Sequence, residues 1–257
     1  PSYGGTLMVF LLKLLKKSNQ LDGNIIKFIK SMELTSMARQ EVCTNPINEM
    51  EIKKILDENL FNRYLELFNN DNFIGGSKKL SGFGSTTHIS IIDKKNNVFS
   101  MTTTNGEGCG YFIPEFGIMM NNMLGEQDLN PYGYHQWKTI RRLPTMICPT
   151  IVLKNNKPAY ILGSGGSNRI RSAITQVLFN IIIKKMPLNK AIETPRIHLE
   201  GNELYCEPGI KIPEHEYLKH IKITNFESKS LFFGGVNCVT PDEAIGDNRR
   251  GGIGEVF

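Results

Sequence analysis

No run in this sequence reaches the 18 or so consecutive apolar residues that a membrane-spanning helix needs. The nearest approach, Leu7 to Leu15, is broken by Lys13 and reads as a buried helix. Five cysteines are an odd number and include no C-x-x-C pair, so neither a zinc ribbon nor a disulfide framework is expected. Unpaired thiols suit a reducing compartment, which favours a cytoplasmic setting over a periplasmic or secreted one. Charge of one sign is also lacking. Thirty Lys and Arg stand against 25 Asp and Glu, a formal net charge of +5, and the basic residues are scattered in pairs such as Lys16-Lys17, Lys184-Lys185 and Arg249-Arg250. So diffuse a footprint excludes nucleic acid as an expected partner. The five histidines stand apart, and His215 and His220, five residues apart, fall on different faces of a helix, so no metal is expected. The chain starts at Pro1 with neither a methionine nor a signal peptide, and an upstream segment is expected to have been removed.

What is present is 257 residues, 40% hydrophobic, enough to bury one sizeable core, with 9% aromatic and 21% charged residues arguing against disorder. The first 80 or so residues read as helical. Thr6 is expected to cap a helix over Leu7–Lys17, and Asn24 one over Ile25 to about Val42. Helices near Asn48–Asp57 and Leu60–Phe68 follow, then a polar, flexible linker over 69–85.

From Thr86 the apolar period changes from 3.6 to 2. A hairpin is expected from Thr86 to Thr104 with its turn at 94–97, then a possible strand at Gly117–Met120. A second hairpin runs over Pro149–Leu153 and Ala159–Leu162. It ends in a loop, Gly163-Ser164-Gly165-Gly166, that enters a helix from about Asn168 to Lys185. A short helix at Leu188–Glu193 precedes strand candidates at Arg196–Glu200, Glu203–Cys206, Ile221–Asn225 and Gly235–Val239. This order indicates an α+β fold with antiparallel sheets.

Two segments carry chemistry. The glycines ahead of the helix offer backbone N–H groups near its positive end, a place for an anion or oxyanion, although a tight turn explains them equally well. No Gly-Lys-Ser/Thr follows and the dinucleotide spacing is missing, so no cofactor is expected. Gly84-Ser85-Thr86-Thr87-His88 reads either as a linker entering a hydroxyl-rich strand or as a threonine that becomes chain-terminal after cleavage. In the second case the freed α-amino group lies beside the hydroxyl it deprotonates. Periodicity alone leaves both readings open.

Thr86-Thr87-His88-Ile89-Ser90 with the return strand Val98–Thr104 resembles the start of the small subunit of the γ-glutamyltranspeptidases. In family order follow Asn121-Asn122, Cys148-Pro149-Thr150-Ile151, Gly163 to Ile170, and Ala191 to Arg196 with its Pro-Arg ending, while Pro1 to Gly5 is similar to a late large-subunit motif. The resemblance covers essentially the whole chain. It implies an N-terminal-nucleophile hydrolase, an αββα sandwich of two stacked antiparallel sheets whose upstream half lies outside this sequence. Residues 1–85 would end the large-subunit-like segment and 86–257 form the small-subunit-like catalytic segment, together part of one domain.

The resemblance further implies self-cleavage between Ser85 and Thr86. Thr86 would be the nucleophile and Thr104 its hydrogen-bond partner. N–H groups of Gly165 and Gly166, or in the other register Gly166 and Ser167, would hold the oxyanion. Asn105, Asn122, Glu126 and Thr145 would bind substrate, joined by Ser167. The expected activity is hydrolysis or transfer of the γ-glutamyl group of glutathione-like molecules, with water or an amine as acceptor and the upstream large-subunit segment as protein partner. Four departures touch recognition more than the nucleophile. Asn105 comes one place early, Glu126 stands for an aspartate, Met146 replaces a hydroxyl, and an arginine for the α-carboxylate would lie upstream. They leave two alternatives: an acylase for another side-chain amide such as that of a β-lactam, or a non-catalytic binding module.

Overall fold

The computed structural model describes residues 3–17, 24–42, 54–76, 85–126, 129–130, 133–135, 143 and 145–257. The helix expected near Asn48–Asp57 and the linker stretch 77–84 therefore lie largely outside the described residues, as do Cys43 and Trp137. Close contacts divide the chain into two compact units, Tyr3–Leu80 with Pro195–Lys229 and Ser81–Thr194 with Ser230–Phe257. Among the described residues no helix is long and apolar enough to cross a membrane.

The first unit is built on α1 (Tyr3–Lys17), α2 (Ile25–Val42) and α3 (Glu58–Asn69). Leu7, Phe10, Leu11 and Leu14 share one face of α1 and are buried, with the Phe10 ring edge-on to Phe61 and Tyr64 of α3. The helix starts at Tyr3, so Thr6 lies inside it and is no cap. Tertiary contact outweighs the helix-breaking tendency of Gly4-Gly5 here, because Tyr3 is buried with Arg39 of α2 over its ring. Asn24 caps α2 as expected, its Oδ1 accepting from the N–H groups of Ile26 and Lys27. α2 is covered so thoroughly that Glu33 is wholly buried, held by the Tyr217 hydroxyl and by His220 Nε2 at 3.2 Å. His215 and His220, dismissed above as metal ligands, thus act locally. His215 caps the short turn over 216–220 and His220 meets Glu33.

The same unit holds β7 (Ile197–Glu200), β8 (Glu203–Cys206) and β9 (Lys222–Asn225). β7 and β8 are antiparallel, but β8 and β9 run parallel, against the expectation of wholly antiparallel sheets. The connection through 207–221 is long enough to bring the chain back in the same direction, which a hairpin cannot do.

In the second unit β1 (Thr86–Ile92) pairs with β2 (Val98–Thr104) in full register from Thr86↔Thr104 to Ile92↔Val98. Asp93 closes the turn by accepting from the N–H groups of Lys95 and Asn97. β3 (Phe112–Ile113) and β4 (Ile118–Met119) form a small ribbon at the position of the possible strand. A four-stranded antiparallel sheet has the order β11-β10-β6-β5, from β5 (Thr150–Lys154), β6 (Lys157–Gly165), β10 (Gly235–Val239) and β11 (Ala244–Ile245).

β6 is longer than expected. Gly163, Ser164 and Gly165 are strand residues paired with Asn237, Val236 and Gly235, and only 166–168 remain as a turn. α4 (Arg169–Ile182) follows and stops three residues earlier than expected, then α5 (Leu188–Glu193). Period-2 geometry then sorts the layers. A Cβ on Gly163 or Gly165 would run into the His88 ring or the Thr86 backbone of β1, while Ser164 points the other way, toward Gly234 and the α4 side. The hairpin, the four-stranded sheet and α4 thus stack in that order, an α+β layering of two sheets and a helix. Glycine at 163 and 165 is what lets the two sheets approach so closely at this end.

Candidate active site

Thr86 opens β1 and is half-buried. Because β1 and β2 pair in register, its Oγ1 meets that of Thr104 directly across the ladder and donates to it at 3.0 Å. Thr104 Oγ1 also accepts from the Gly106 N–H at 3.1 Å and lies 3.4 Å from the Ser85 carbonyl oxygen. That carbonyl accepts from the Asn105 N–H at 3.2 Å, and the Ser85 N–H bonds back to the Gly106 carbonyl. The Ser85 carbonyl is held by donors from the end of β2 and the loop after it, while the hydroxyl of the next residue is bonded to the same Thr104.

Asn105 takes part through its backbone, its carbonyl accepting from Gly108 and Asn122. Asn122 pins the same loop, its Oδ1 accepting from the N–H groups of Glu107 at 2.6 Å and Gly108 at 3.1 Å. The Glu126 carboxylate reaches this loop too, since a Cβ on Gly106 would lie 2.7 Å from Glu126 Oε1. Asn130, which carried no signal in the sequence, donates to the carbonyls of Leu124 and Glu126 and fixes the turn that presents Glu126. The structure thus brings Ser85, Thr86, Thr104, Asn105, Asn122 and Glu126 into one connected group. Thr145 stands at a local turn before β5, accepting from the Ile147 N–H at 3.2 Å, and no described contact joins it to Thr86. Met146 beside it is buried.

The glycine turn meets Thr86 from β6. A Cβ on Gly165 would fall closer than 3.0 Å to the Thr86 carbonyl oxygen. Gly166 has φ +125° and Ser167 φ +50°, and their carbonyls accept from Arg169 and Ile170 as α4 begins. Ser167 is buried. Arg169 donates from Nε to the Phe232 carbonyl at 3.2 Å and lies 4.8 Å from that ring.

His88 sits behind the site against Gly163. Its Nδ1 is 2.8 Å from Thr102 Oγ1 and its Nε2 2.7 Å from Ser90 Oγ. Burial pushes its pKa down to about 4, so the ring is neutral near pH 7 and both nitrogens are engaged. It supports the strand through Thr102 and Ser90, which take up both ring nitrogens. Because its folded pKa lies below the ordinary value near 6.5, stability is fully present above that value and is lost as pH falls toward 4. The loss amounts to about 3 kcal/mol at 1.36 kcal/mol per pKa unit. The urea midpoint of the full-length protein should therefore fall more steeply between pH 6.5 and 4 than that of His88→Gln. Equal slopes would remove His88 from the account.

One group at this site was visible in the sequence only as half of a basic pair. The Arg250 guanidinium lies at the glycine turn, with Nη1 3.4 Å from where a Cβ on Gly165 would be and Nη2 3.6 Å from the same point on Gly166.

A threonine opening a strand, set against a glycine turn between stacked antiparallel sheets and a helix, is the layout of the N-terminal-nucleophile hydrolases. In fold the whole chain is similar to cephalosporin acylase from Bacillus halodurans, with a TM-score of 0.75 at 20% identity over 50% of that chain. The family model for γ-glutamyltranspeptidase matches residues 1–255, and the chain belongs to that family. It is 28% identical to the capsule biosynthesis protein CapD proenzyme of Bacillus anthracis over 98% of this chain and 49% of that protein. It is 35% identical to the glutathione hydrolase proenzyme of Bacillus subtilis over 49% of this chain and 22% of that protein. The chain thus spans about half or less of the curated relatives it matches.

Proposed function

We propose that this chain is the catalytic end of an autoprocessed threonine amidase that hydrolyses or transfers the γ-glutamyl group of glutathione-like substrates. The observation that carries the reading is the Thr86–Thr104 hydroxyl pair at 3.0 Å, placed at the Ser85–Thr86 peptide. In maturation Thr86 Oγ1 attacks the Ser85 carbonyl carbon. Thr104 orients the hydroxyl, and the Asn105 N–H stabilises the developing oxyanion on Ser85. The acyl group passes from nitrogen to oxygen, and water then cleaves the ester and leaves Thr86 with a free amine. In turnover that amine is the base, with a reference pKa of about 7.7–8 that suits neutral pH. N–H groups of the Gly165–Ser167 turn hold the oxyanion of the attacked amide, the leaving amine departs, and water or an acceptor amine resolves the acyl-enzyme. Asn105 and Asn122 shape the loop that receives the glutamyl end, and Glu126 carries the charge for its ammonium. Thr145 and Ser167 are assigned to the substrate wall by family position.

The protein partner in this reading is the upstream half of the parent protein. The outer face of the hairpin supports it. Ile89, Ile91, Phe99 and Met101, the apolar members of the alternating strands, are 42–48% exposed on it.

A second reading, an acylase for a different side-chain amide, draws on Met146, whose buried thioether stands where the family pattern has a second hydroxyl. Turnover of γ-glutamyl p-nitroanilide and of a glutaryl amide by the matured full-length protein separates the two. We expect kcat/KM at least tenfold higher for the γ-glutamyl substrate. The reverse preference establishes the acylase, and no turnover of either by a cleaved enzyme sinks both.

A further inference from the structure

We propose that the charge of Arg250 keeps the amino group freed on Thr86 in the neutral form that accepts a proton. The inference rests on the autoprocessing reading above and names what tunes its base. It is separate from the upstream arginine expected to meet the substrate carboxylate. The placement of Arg250 is built by the fold. Gly235 and Gly165 are directly paired across β10 and β6. A Cβ on Gly235 would lie 2.8–2.9 Å from Cβ, Cγ and Cδ of Arg250, so the missing side chain leaves a bed for the arginine stem. The stem crosses Gly235 and brings Nη1 to 3.4 Å from the point where a Cβ on Gly165 would stand, a point 3.1 Å from the Thr86 carbonyl carbon. Those two distances add to 6.5 Å, the greatest separation that Nη1 and this carbon can have. The Thr86 nitrogen, two bonds further along, is therefore within about 9 Å of the guanidinium.

The short turn over Asn248–Arg250 that launches the stem is fixed from below. Asp247 caps it by accepting from the Arg249 N–H at 3.0 Å, and it also takes the Arg249 guanidinium at 3.2 Å and the Val236 N–H at 2.9 Å. The nearby acid is therefore engaged by the neighbouring arginine and offsets Arg250 only in part. Other elements bring their own groups. Arg169 of α4 is a second cation, close enough to Arg250 for the two to repel. Glu126, from the loop after β2, opposes them at Gly106, and β2 itself offers the uncharged Thr104 hydroxyl. His88 of β1 is neutral near pH 7. The glycine-turn side of Thr86 is thus positive.

A positive charge disfavours protonation of an amine near it, and Arg250 is half-buried, where water screens its field less than at the surface. At an effective dielectric constant of about 20, unit charges ~9 Å apart displace each other's titration by about 1.4 pH units, and salt trims this to about 1. The Thr86 amine then titrates below its reference range of about 7.7–8, and most of it is a base at neutral pH. Arg250 acts through Thr86 and exchanges no proton itself, because a guanidinium stays charged throughout.

The test uses matured full-length wild type, Arg250→Gln, Arg250→Lys and Gly235→Ala, each checked by mass spectrometry for the chain that begins at Thr86. The readout is the midpoint of the acid limb of kcat/KM for γ-glutamyl p-nitroanilide, which reports the base of the free enzyme. Comparing variants on one substrate cancels the substrate's own titration. Arg250→Gln should move the midpoint up by about 1 pH unit, with the plateau within about threefold of wild type. Arg250→Lys keeps the charge and should hold the midpoint within about 0.3 pH unit, a twofold change in the ionisation constant. Gly235→Ala, which pushes the stem aside, should move it part of the way up. An unmoved or lowered midpoint in Arg250→Gln, whatever its plateau, overturns the proposal. So does an equal rise in Arg250→Lys.

Titration of the Thr86 Cα resonance in isotope-labelled matured protein gives an arm that needs no turnover, with the same displacements expected. If wild type is cut but hydrolyses no γ-glutamyl substrate, the substrate reading falls while this arm still decides Arg250. An unmoved Cα midpoint in Arg250→Gln then overturns its role. If wild type is never cut, no amine is released, and the inference falls together with the autoprocessing reading. Should Arg250→Gln fail to mature, Gly235→Ala carries the comparison, and an unmoved midpoint there overturns the proposal.

Discussion

Thr86→Ala in the full-length parent protein should leave a single uncut polypeptide where wild type yields two chains, and hydrolysis of a γ-glutamyl anilide should fall by at least about 10³-fold. In the proposed mechanism the deletion removes the atom that attacks both the Ser85 carbonyl and the substrate. It should do so without unfolding the site. Thr86 is half-buried, and Thr104 keeps the Gly106 N–H as donor and the Ser85 carbonyl as neighbour when its partner is lost. Unfolding free energy should therefore shift by about 1 kcal/mol or less, the net worth of one hydrogen bond. Thr86→Ser retains the hydroxyl and should still be cut, more slowly, because the methyl that restricts χ1 is gone. Cleavage at Ser85–Thr86 in the alanine variant, read by denaturing mass spectrometry, would end the case for Thr86.

Gly165→Ala carries the second large effect, and it acts on position. The new Cβ meets the Thr86 backbone oxygen closer than 3.0 Å and the Thr86 carbonyl carbon at 3.1 Å. Backbone cannot rotate away as a side-chain tip can, so β1 must move off the sheet. A displacement of about 1 Å at a reacting group costs about 10²-fold in rate, and overpacking costs about 1–3 kcal/mol in stability. We expect slowed cleavage, at least a 100-fold lower turnover by whatever fraction matures, and a lowered Tm. Gly76→Ala is the matched control, since a Cβ there meets nothing within 4 Å. Wild-type activity in Gly165→Ala would mean that the hairpin does not rest on β6 as described.

Much of this was legible in the residues. The Thr86–Thr104 hairpin was visible because alternating apolar and polar residues on both sides of the Asp93–Asn97 turn leave one register open, and that register alone places the two threonines opposite each other. α2 was visible through its Asn24 cap and its helical apolar spacing. Glycines broke the reading elsewhere. Gly163 and Gly165 were expected in a loop and lie in β6, because a residue without a side chain shows no alternation and its strand character comes from the partner Gly235–Val239. Gly4-Gly5 were expected outside α1 and lie within it, carried by the buried Tyr3. Glu126 and Asn122 were named from motif order, yet what holds them is the loop they share with Gly106 and Asn130. Thr145 was named by the same order and has no described contact with Thr86.

By itself the sequence determined the local pieces and the candidate nucleophile: where the helices run, where the hairpin turns, and that a hydroxyl opens a strand after a polar stretch. Those features depend on neighbours a few residues away, within reach of propensity and period. Only the tertiary structure decided that β9 joins β8 in parallel, that glycines of β6 lie under Thr86, and that the Arg250 stem crosses Gly235 to reach them. Each of these is a contact between segments distant in the chain, whose energy resides in the space left by one residue and filled by another, and no single stretch of sequence contains both.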